Sequence, residues 1–175
     1  MRWMTLAHLH LDRVASAWLI ARFVDEDAEF EYLDWMAKPP ADEDLTLFGM
    51  PGIELSNHDE NGTCFSKILK AYKLEDRGLA LLARVVAAGV AHALELEPVA
   101  ELEPDLQALG TGLDLLGTGF GITADDDQHL AQAMPMYDAL YALCRVRTLP
   151  EEVQTQVPRL PGDRADFLRR VLAAG

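Results

Sequence analysis

His8, His10 and Asp12 are the residues of this chain whose types and spacing best suit chemistry. They follow an apolar stretch that we predict as a strand over residues 2–9, and the side chains of a strand alternate between its two faces. The three side chains would then share one face, with about 7 Å between neighbours. Two imidazoles and a carboxylate at that spacing can converge on one ion. The run therefore predicts a metal or catalytic site.

A second polar cluster surrounds His58. Residues 52–57 are predicted to form a strand that runs into this histidine, and parallel strands bring their carboxyl ends to one edge of a sheet. We therefore expect His10, Asp12 and His58 to converge, with His8 or Glu60 nearby. The predicted ligands of a zinc or manganese ion are His8, His10, Asp12 and His58.

Simpler structural roles remain open for these residues. Asp12 begins a helix predicted over residues 12–24 and would serve as its cap, while the histidines would be solvated. The polar residues around His58 would form an ordinary turn. Cys64 is predicted at the first turn of a helix, where the helix dipole would lower the pKa of its thiol. Asp125 and Gln128 are spaced as a capping box, and His92 and His129 are expected to have no role.

The elements that must position these residues define an α/β fold. We expect a small parallel sheet from an N-terminal βαβ unit, with strands over 2–9, 28–35 and 52–57, and a mostly helical C-terminal half after residue 64. The helices are expected to break at the glycine cluster 117–121 and at Pro135. Residues 1–145 would form one domain, with the loop and helix of 146–175 packed on it. The side chains expected to be buried on helix faces are Trp18, Phe23, Leu82, Val86, Tyr137 and Leu140.

Composition limits the classes of partner. The chain has 175 residues, of which 50% are hydrophobic, and a net charge of −14. This charge argues against binding to duplex nucleic acid or to an anionic membrane surface. Two cysteines, with no signal peptide or membrane-spanning run, predict a cytoplasmic protein. The arginine-rich stretch from residue 145 onward is compatible with a homo-oligomer.

Several segments of the chain form one long pattern that runs in order through most of its length. They are Trp3-Met4-Thr5, Asp12-Arg13-Val14-Ala15, Trp18–Asp25, Pro51–Leu55 leading to His58, Leu82–Val86, Ala124-Asp125-Asp126 and Met136–Tyr141 before Cys144. This pattern resembles the C-terminal domain of the chromate-resistance protein ChrB. The resemblance implies a protein of chromate or metal stress that binds a small anion or metal, with Arg13, Glu60, Asp125 and Asp126 around the site. This chain departs from the family by having Leu6-Ala7-His8-Leu9-His10 where a basic run usually precedes the Asp-Arg pair.

Two other functions compete with this interpretation. The spacing of His8, His10 and Asp12, followed by Asn57-His58-Asp59, is similar to that of DHH-type and MYG1-type metal-dependent phosphoesterases. That resemblance implies hydrolysis of a small phosphoester by a metal-activated water. A non-catalytic helical partner module, in which the histidines are incidental, is the third possibility.

Overall fold

The N-terminal third of the chain forms a three-stranded parallel sheet. In the computed structural model, which describes residues 1–174, the strands are β1 (Arg2–Leu6), β2 (Glu29–Leu33) and β3 (Leu45–Leu47). Their order is β2-β1-β3, with Arg2 of β1 paired with Glu29 on one side and with Leu45 on the other. The predicted α/β class and parallel sheet are confirmed.

Helices make up most of the remaining structure. Between β1 and β2 lies α1 (Leu11–Leu19), which continues into a π-helical turn (Ile20–Val24). The helical half confirms the prediction, since no strand lies beyond residue 70 in the described chain. Its helices are α2 (Cys64–Ala71), α3 (Arg77–Ala93), α4 (Pro104–Thr123), α5 (Asp126–Arg147), α6 (Glu151–Gln154) and α7 (Pro161–Ala174).

The third strand is not where the sequence predicted it. Residues 52–57 form turns and bends, and the third strand is the three-residue β3. The apolar residues Ile53 and Leu55 are used for packing instead: Leu55 joins the main core, and Ile53 packs against a smaller cluster beneath the sheet. Alternating apolar residues predicted a strand, but tertiary packing placed them in an irregular loop.

The predicted helix breaks at residues 117–121 and at Pro135 were also wrong. Helix α4 runs through all the glycines to Thr123, and α5 continues past Pro135, which is exposed. A Cβ on Gly110 would lie 2.6 Å from the Val85 carbonyl and 2.7 Å from the Gly89 amide. Close packing of α4 against α3 thus stabilises a sequence whose intrinsic helix propensity is low.

The main core lies between the helices and one face of β1. Trp3 and Thr5 of β1 are fully buried, and Met4 and Leu6 are buried as well, which gives β1 the buried character of a central parallel strand. Four predicted core residues are buried, namely Trp18, Leu82, Val86 and Tyr137. As predicted, the Tyr137 hydroxyl finds a partner and donates to the Leu11 carbonyl at 3.3 Å.

Two predicted core residues are more accessible than expected. Phe23 is 36% exposed; it lies in the π-helical turn, whose wider winding changes the direction of the side chains that follow. Leu140 is half-buried, because it faces a groove between α4 and α5 that is open to solvent. Among residues 1–174, no helix combines the length and the apolar character needed to cross a membrane.

The contact between α3 and α4 generates a test of the fold. Replacing Gly110 with Ala should lower the free energy of unfolding by about 1–3 kcal/mol, because the new methyl group overlaps backbone atoms of α3. Gly112 on the same helix has no atom within 4 Å of an added Cβ. Gly112→Ala should therefore stabilise the protein by about 0.5–1 kcal/mol, as Ala does in an open helix position. Urea denaturation measures both, and equal effects of the two changes would contradict the packing.

Candidate functional site: a cavity at the carboxyl end of β1

The turn that joins β1 to α1 has a strained backbone and is stabilised by a residue that is distant in the sequence. His8 and Leu11 have positive φ angles of 60° and 32°, which non-glycine residues rarely adopt. The Asp126 carboxylate, at the start of α5, accepts hydrogen bonds from the amides of His8 at 2.9 Å and Leu9 at 2.6 Å. Asp126 therefore fixes the path of a turn that would otherwise relax.

This turn separates the three residues that the sequence placed on one strand face. β1 ends at Leu6, so residues 8, 10 and 12 do not alternate along a strand, and that premise was wrong. The His8 side chain is exposed, whereas His10 and Asp12 are directed to different helices. The expected convergence of His8 with the other two is therefore not found.

The His10 ring lies against α4. Its Nε2 is 3.2 Å from the Oδ1 atom of Asp114 and 3.4 Å from the Thr118 hydroxyl. A Cβ on Gly117 would lie 3.1 Å from the His10 ring, so the glycine makes the slot that the ring occupies. The other carboxylate oxygen of Asp114, Oδ2, is 2.6 Å from the Nδ1 atom of His92 on α3.

Asp12 caps a different helix from the one it begins. Its carboxylate accepts the amides of Cys64 at 2.8 Å and Phe65 at 3.0 Å, the first two residues of α2. The first turn of α1 has no side-chain cap of its own. Burial raises the pKa of the Asp12 carboxyl, and the two amides together with the nearby His58 act in the opposite direction. The predicted cap of α1 was therefore wrong: the Asp12 carboxylate caps α2 and joins it to α1.

The His58 loop is fastened to α2 by Lys67. The Lys67 ammonium lies 2.8 Å from the Asp59 carboxylate and donates to the Asn57 carbonyl at 2.7 Å. The Lys67 ammonium, the Asn61 amide and the Ser56 hydroxyl lower the pKa of Asp59 to about 2. Within residues 1–174, the Nδ1 atom of His58 is buried without a hydrogen-bond partner. A buried polar atom of this kind is costly unless it is paired, for example with a water molecule or a ligand.

A cavity of about 240 Å³ lies between the β1–α1 turn, the first turn of α1 and the loop that carries His58. His10, Asp12, Arg13 and His58 all line it, so the structure brings together four of the predicted site residues. Its other walls are mostly apolar, and come from the end of β1, the start of α1, the end of α3 and the loop after β2: Leu6, Leu11, Val90, Ala93, Leu94 and Trp35.

Arg13 is the cation of this cavity. A Cβ on Gly49 would lie 2.8 Å from the Arg13 Cγ, so the stem passes directly beneath a glycine whose φ is +62°. The guanidinium donates to the His8 carbonyl at 2.7 Å, and within residues 1–174 it forms no ion pair. Burial lowers the pKa of Arg13 from its ordinary value, and the charges of Asp126 and Asp12 act in the opposite direction. A half-buried arginine without an ion pair is suited to bind an anion.

The arrangement does not fit the divalent ion that the sequence suggested. In the part of the chain that the structure describes, no three His, Cys, Asp or Glu side chains are grouped as metal ligands. Both Asp12 oxygens accept α2 amides and one His10 nitrogen faces Asp114, so these donors are already engaged. The zinc or manganese ion stays a prediction, and the phosphoesterase resemblance, which depends on the same ligands, gains no support here.

The other site residues and the cysteine considered in the sequence analysis lie outside the cavity. Asp125 caps α5 in the predicted capping box with Gln128, and Glu60 is exposed. Cys64 lies at the first turn of α2 as predicted, but the expected lowering of its pKa was wrong. Burial, aided by the Asp12 charge, raises the pKa of this thiol to about 12. A helix terminus lowers a thiol pKa only where the thiolate stays solvated.

Asp114 and His92 were not among the site residues predicted from the sequence. Asp114 is 7% exposed, and its carboxylate pairs with both His10 and His92. The signal was present, since Asp114 is the only charged residue between positions 106 and 123 of an apolar, glycine-rich helix. A lone charge in such a helix is rarely buried without a partner.

Comparison with known proteins agrees with the resemblance noted in the sequence. A family model described as the ChrB C-terminal domain matches residues 3–144, from β1 to the last turn of α5. The chain belongs to the ChrB C-terminal domain family. This match includes every residue that lines the cavity.

A ChrB protein of Cupriavidus metallidurans is 37% identical to this chain over 103 residues. The alignment covers 57% of the present chain and 29% of the relative, so this ChrB C-terminal domain spans less than a third of that protein. No solved structure matches the chain.

The cap between α1 and α2 predicts a loss of stability on removing Asp12. Asp12→Ala should lower the free energy of unfolding by about 1–2 kcal/mol, because two first-turn amides of α2 lose their acceptor. Asp27→Ala removes an exposed carboxylate from a turn and is the matched control. Equal unfolding midpoints in urea for Asp12→Ala and the wild type would contradict this role.

The Asp59 ion pair predicts a specific dependence on pH. A carboxyl whose pKa falls from 3.8 to about 2 on folding stabilises the native state above pH 3.8 and loses this contribution as the pH falls towards 2. The stability difference between the wild type and Asp59→Asn should therefore be largest near pH 5 and shrink by pH 2. Glu60→Gln, in the same loop, controls for the loss of one charge. A difference that did not change with pH would show that the ion pair is not formed in solution.

Proposed function

We propose that this ChrB C-terminal domain acts in chromate resistance by binding a chromate-type tetrahedral oxyanion in the cavity at the carboxyl end of β1. The observation that carries the proposal is Arg13, a half-buried guanidinium in the cavity wall that forms no ion pair with a carboxylate in the described chain. A protein of net charge −14 has no general attraction for anions. A specific pocket is therefore needed to hold one.

The size and walls of the cavity support an oxyanion. A water molecule occupies about 30 Å³ in the liquid, so a cavity of about 240 Å³ has room for a four-oxygen anion and several waters. Apolar walls reduce the local dielectric response and strengthen the attraction of Arg13 for an anion. The first turn of α1 has no side-chain cap in the described residues, and it places the positive end of a helix dipole beside Arg13.

The acidic residues of the cavity do not oppose this proposal. The Asp12 carboxylate accepts two amides at the positive end of α2, so its charge is directed into the protein and partly compensated. His58 adds a buried ring nitrogen that has no hydrogen-bond partner within residues 1–174, and the tautomer with its proton on this nitrogen can donate to an anion. The sequence-based expectation allowed a divalent metal or a metal oxyanion, and these contacts favour the oxyanion.

Isothermal titration calorimetry with sodium chromate, molybdate and sulfate tests the proposal on the full 175-residue chain. The wild type should bind one oxyanion per chain. Arg13→Met keeps the stem beneath Gly49 and should weaken binding at least tenfold, since a charge-assisted hydrogen bond contributes about 1.5–3 kcal/mol. Arg84→Ala removes a cation that donates to the Ala100 carbonyl, outside the cavity, and should leave binding unchanged.

Three results would overturn the proposal. One is the absence of heat with all three oxyanions, and another is equal weakening by the Arg13 and Arg84 changes, which would indicate diffuse electrostatics. Parallel titrations with zinc and manganese test the cation that the sequence suggested. Uptake of either metal without any oxyanion binding would also overturn it.

A further inference from the structure

The outer side of α4 and the adjoining side of α5 form an apolar surface that is open to solvent. Leu115 and Ile122 of α4 are 60% and 81% exposed, and Leu116 and Leu143 are exposed as well. A groove of about 400 Å³ runs between the two helices, and it is lined by leucine, methionine, alanine and glycine residues. We call this surface the α4–α5 face; it consists of Gly112, Leu115, Leu116, Gly119 and Ile122 of α4 and Leu143 of α5.

The charged residues of both helices point away from the α4–α5 face. Asp114 is the only Asp, Glu, Lys or Arg residue between positions 106 and 123, and it is turned inward to His10 and His92. Between positions 128 and 144 of α5 the only such residue is Asp138, which pairs with Arg22. A partner recognised by its charge would bind elsewhere on this acidic chain. The face therefore suits a partner surface that is itself apolar and uncharged.

The outward residues of α4 follow a pattern that is nearly the same when it is read from either end. From the centre outward, the matching positions are Leu115 with Leu116, Gly112 with Gly119, and Leu109 with Ile122. Their spacing of three and four residues is that of a seam between packed helices. When two copies of α4 lie antiparallel about a two-fold axis at this centre, glycine faces glycine and each large aliphatic residue faces another. This is the self-complementarity that a two-fold interface requires.

The size of the face suits a dimer of moderate affinity. Residues 108–123 of α4 extend over about 24 Å, since each helical residue advances the chain by about 1.5 Å. With the adjoining side of α5 the face is about 20 Å wide, because packed helices lie about 10 Å apart. Each copy would then bury roughly 500 Å² and the pair about 1,000 Å², which is the lower limit for a specific interface. Monomeric proteins seldom leave an apolar patch of that size exposed.

We infer that a second copy of this chain covers the α4–α5 face, with the two α4 helices antiparallel and a two-fold axis near Leu115 and Leu116. The cavity lies on the other side of α4, where Gly117 and Asp114 contact the His10 ring. The dimer therefore does not depend on the proposed oxyanion site. It also differs from an oligomer held by the arginine-rich stretch after residue 145, whose contacts would be ionic.

Sedimentation velocity of the full 175-residue chain tests the association at concentrations from about 1 to 100 µM. We expect a species of twice the 19.4 kDa of one chain at the upper end of this range. The dimer should persist or increase between about 0.05 and 0.5 M sodium chloride, because salt screens the repulsion between two chains of net charge −14 and does not weaken an apolar contact. Dissociation on adding salt would overturn the inference, since it would indicate an ionic interface.

A charge placed at the centre of the face tests which surface is used. Leu115→Glu brings two carboxylates together beside the two-fold axis and should weaken the dimer at least tenfold. Leu96→Glu makes the same change at a leucine that is 50% exposed in the loop after α3, outside the face, and should retain the dimer. Because Leu115 is exposed in the single chain, its replacement does not remove a core contact. Equal association of the two variants would overturn the inference.

Disulfide formation between introduced cysteines tests the antiparallel arrangement. Both native cysteines, Cys64 and Cys144, are buried, so a cysteine introduced on the face supplies the accessible thiol. Leu115→Cys places two thiols beside the axis and should give a disulfide-linked dimer on mild oxidation. In Ile122→Cys the two thiols would lie about 20 Å apart, at about 1.5 Å per residue on each side of the axis, which is too far for a disulfide. A disulfide that forms as readily in Ile122→Cys as in Leu115→Cys would overturn the antiparallel pairing.

The outcomes separate this inference from the proposed function. A chain that stays monomeric at about 100 µM would overturn the dimer and would assign the face to a different protein or domain. It would leave the oxyanion site intact, because the cavity is formed within one chain. Conversely, a dimer that binds no oxyanion would support this inference and overturn the proposed function alone.

Discussion

The contact on which the rest of this structure depends is the cap that Asp12 provides for α2. A carboxylate from the first turn of α1 accepts the amides of Cys64 and Phe65, more than fifty residues further along the chain. Burial of this charge is costly, as the raised pKa of Asp12 indicates, and the two amides and the dipole of α2 offset that cost. Because α2 is held in this way, Lys67 can reach the Asn57 carbonyl and fix the loop that carries His58. The cavity is a consequence of this chain of contacts.

Carboxylates that seem unfavourable for an anion site are mostly satisfied by donors of the protein itself. Asp126 accepts the amides of the strained turn, Asp12 accepts those of α2, and Asp114 binds His10 and His92. Each of these carboxylates accepts hydrogen bonds from, or pairs with, donors of the protein, although Asp12 also lines the cavity. The net charge of −14 therefore governs long-range behaviour, whereas the local potential near Arg13 depends on which donors remain free.

The glycines of α4 join the core and the site into one interface. Gly110 allows the backbone of α3 to approach closely, and Gly117 leaves space for the His10 ring. Between them, Asp114 turns inward to His10 and His92. A helix that is apolar, rich in glycine and interrupted by one charge is thus explained by two functions, close packing and the positioning of an imidazole.

The sequence by itself determined the local elements and the family. Apolar periodicity predicted β1, α1, β2 and the helical half, and the spacing of Asp125 and Gln128 predicted the cap of α5, because these features depend on residues a few positions apart. Only the tertiary structure decided that residues 45–47 form the third strand, that Asp12 caps α2 and that Asp114 joins two histidines. Strand pairing and the partners of buried charges depend on contacts between residues far apart in sequence. Such contacts leave no periodic pattern in the sequence and are set when the elements pack.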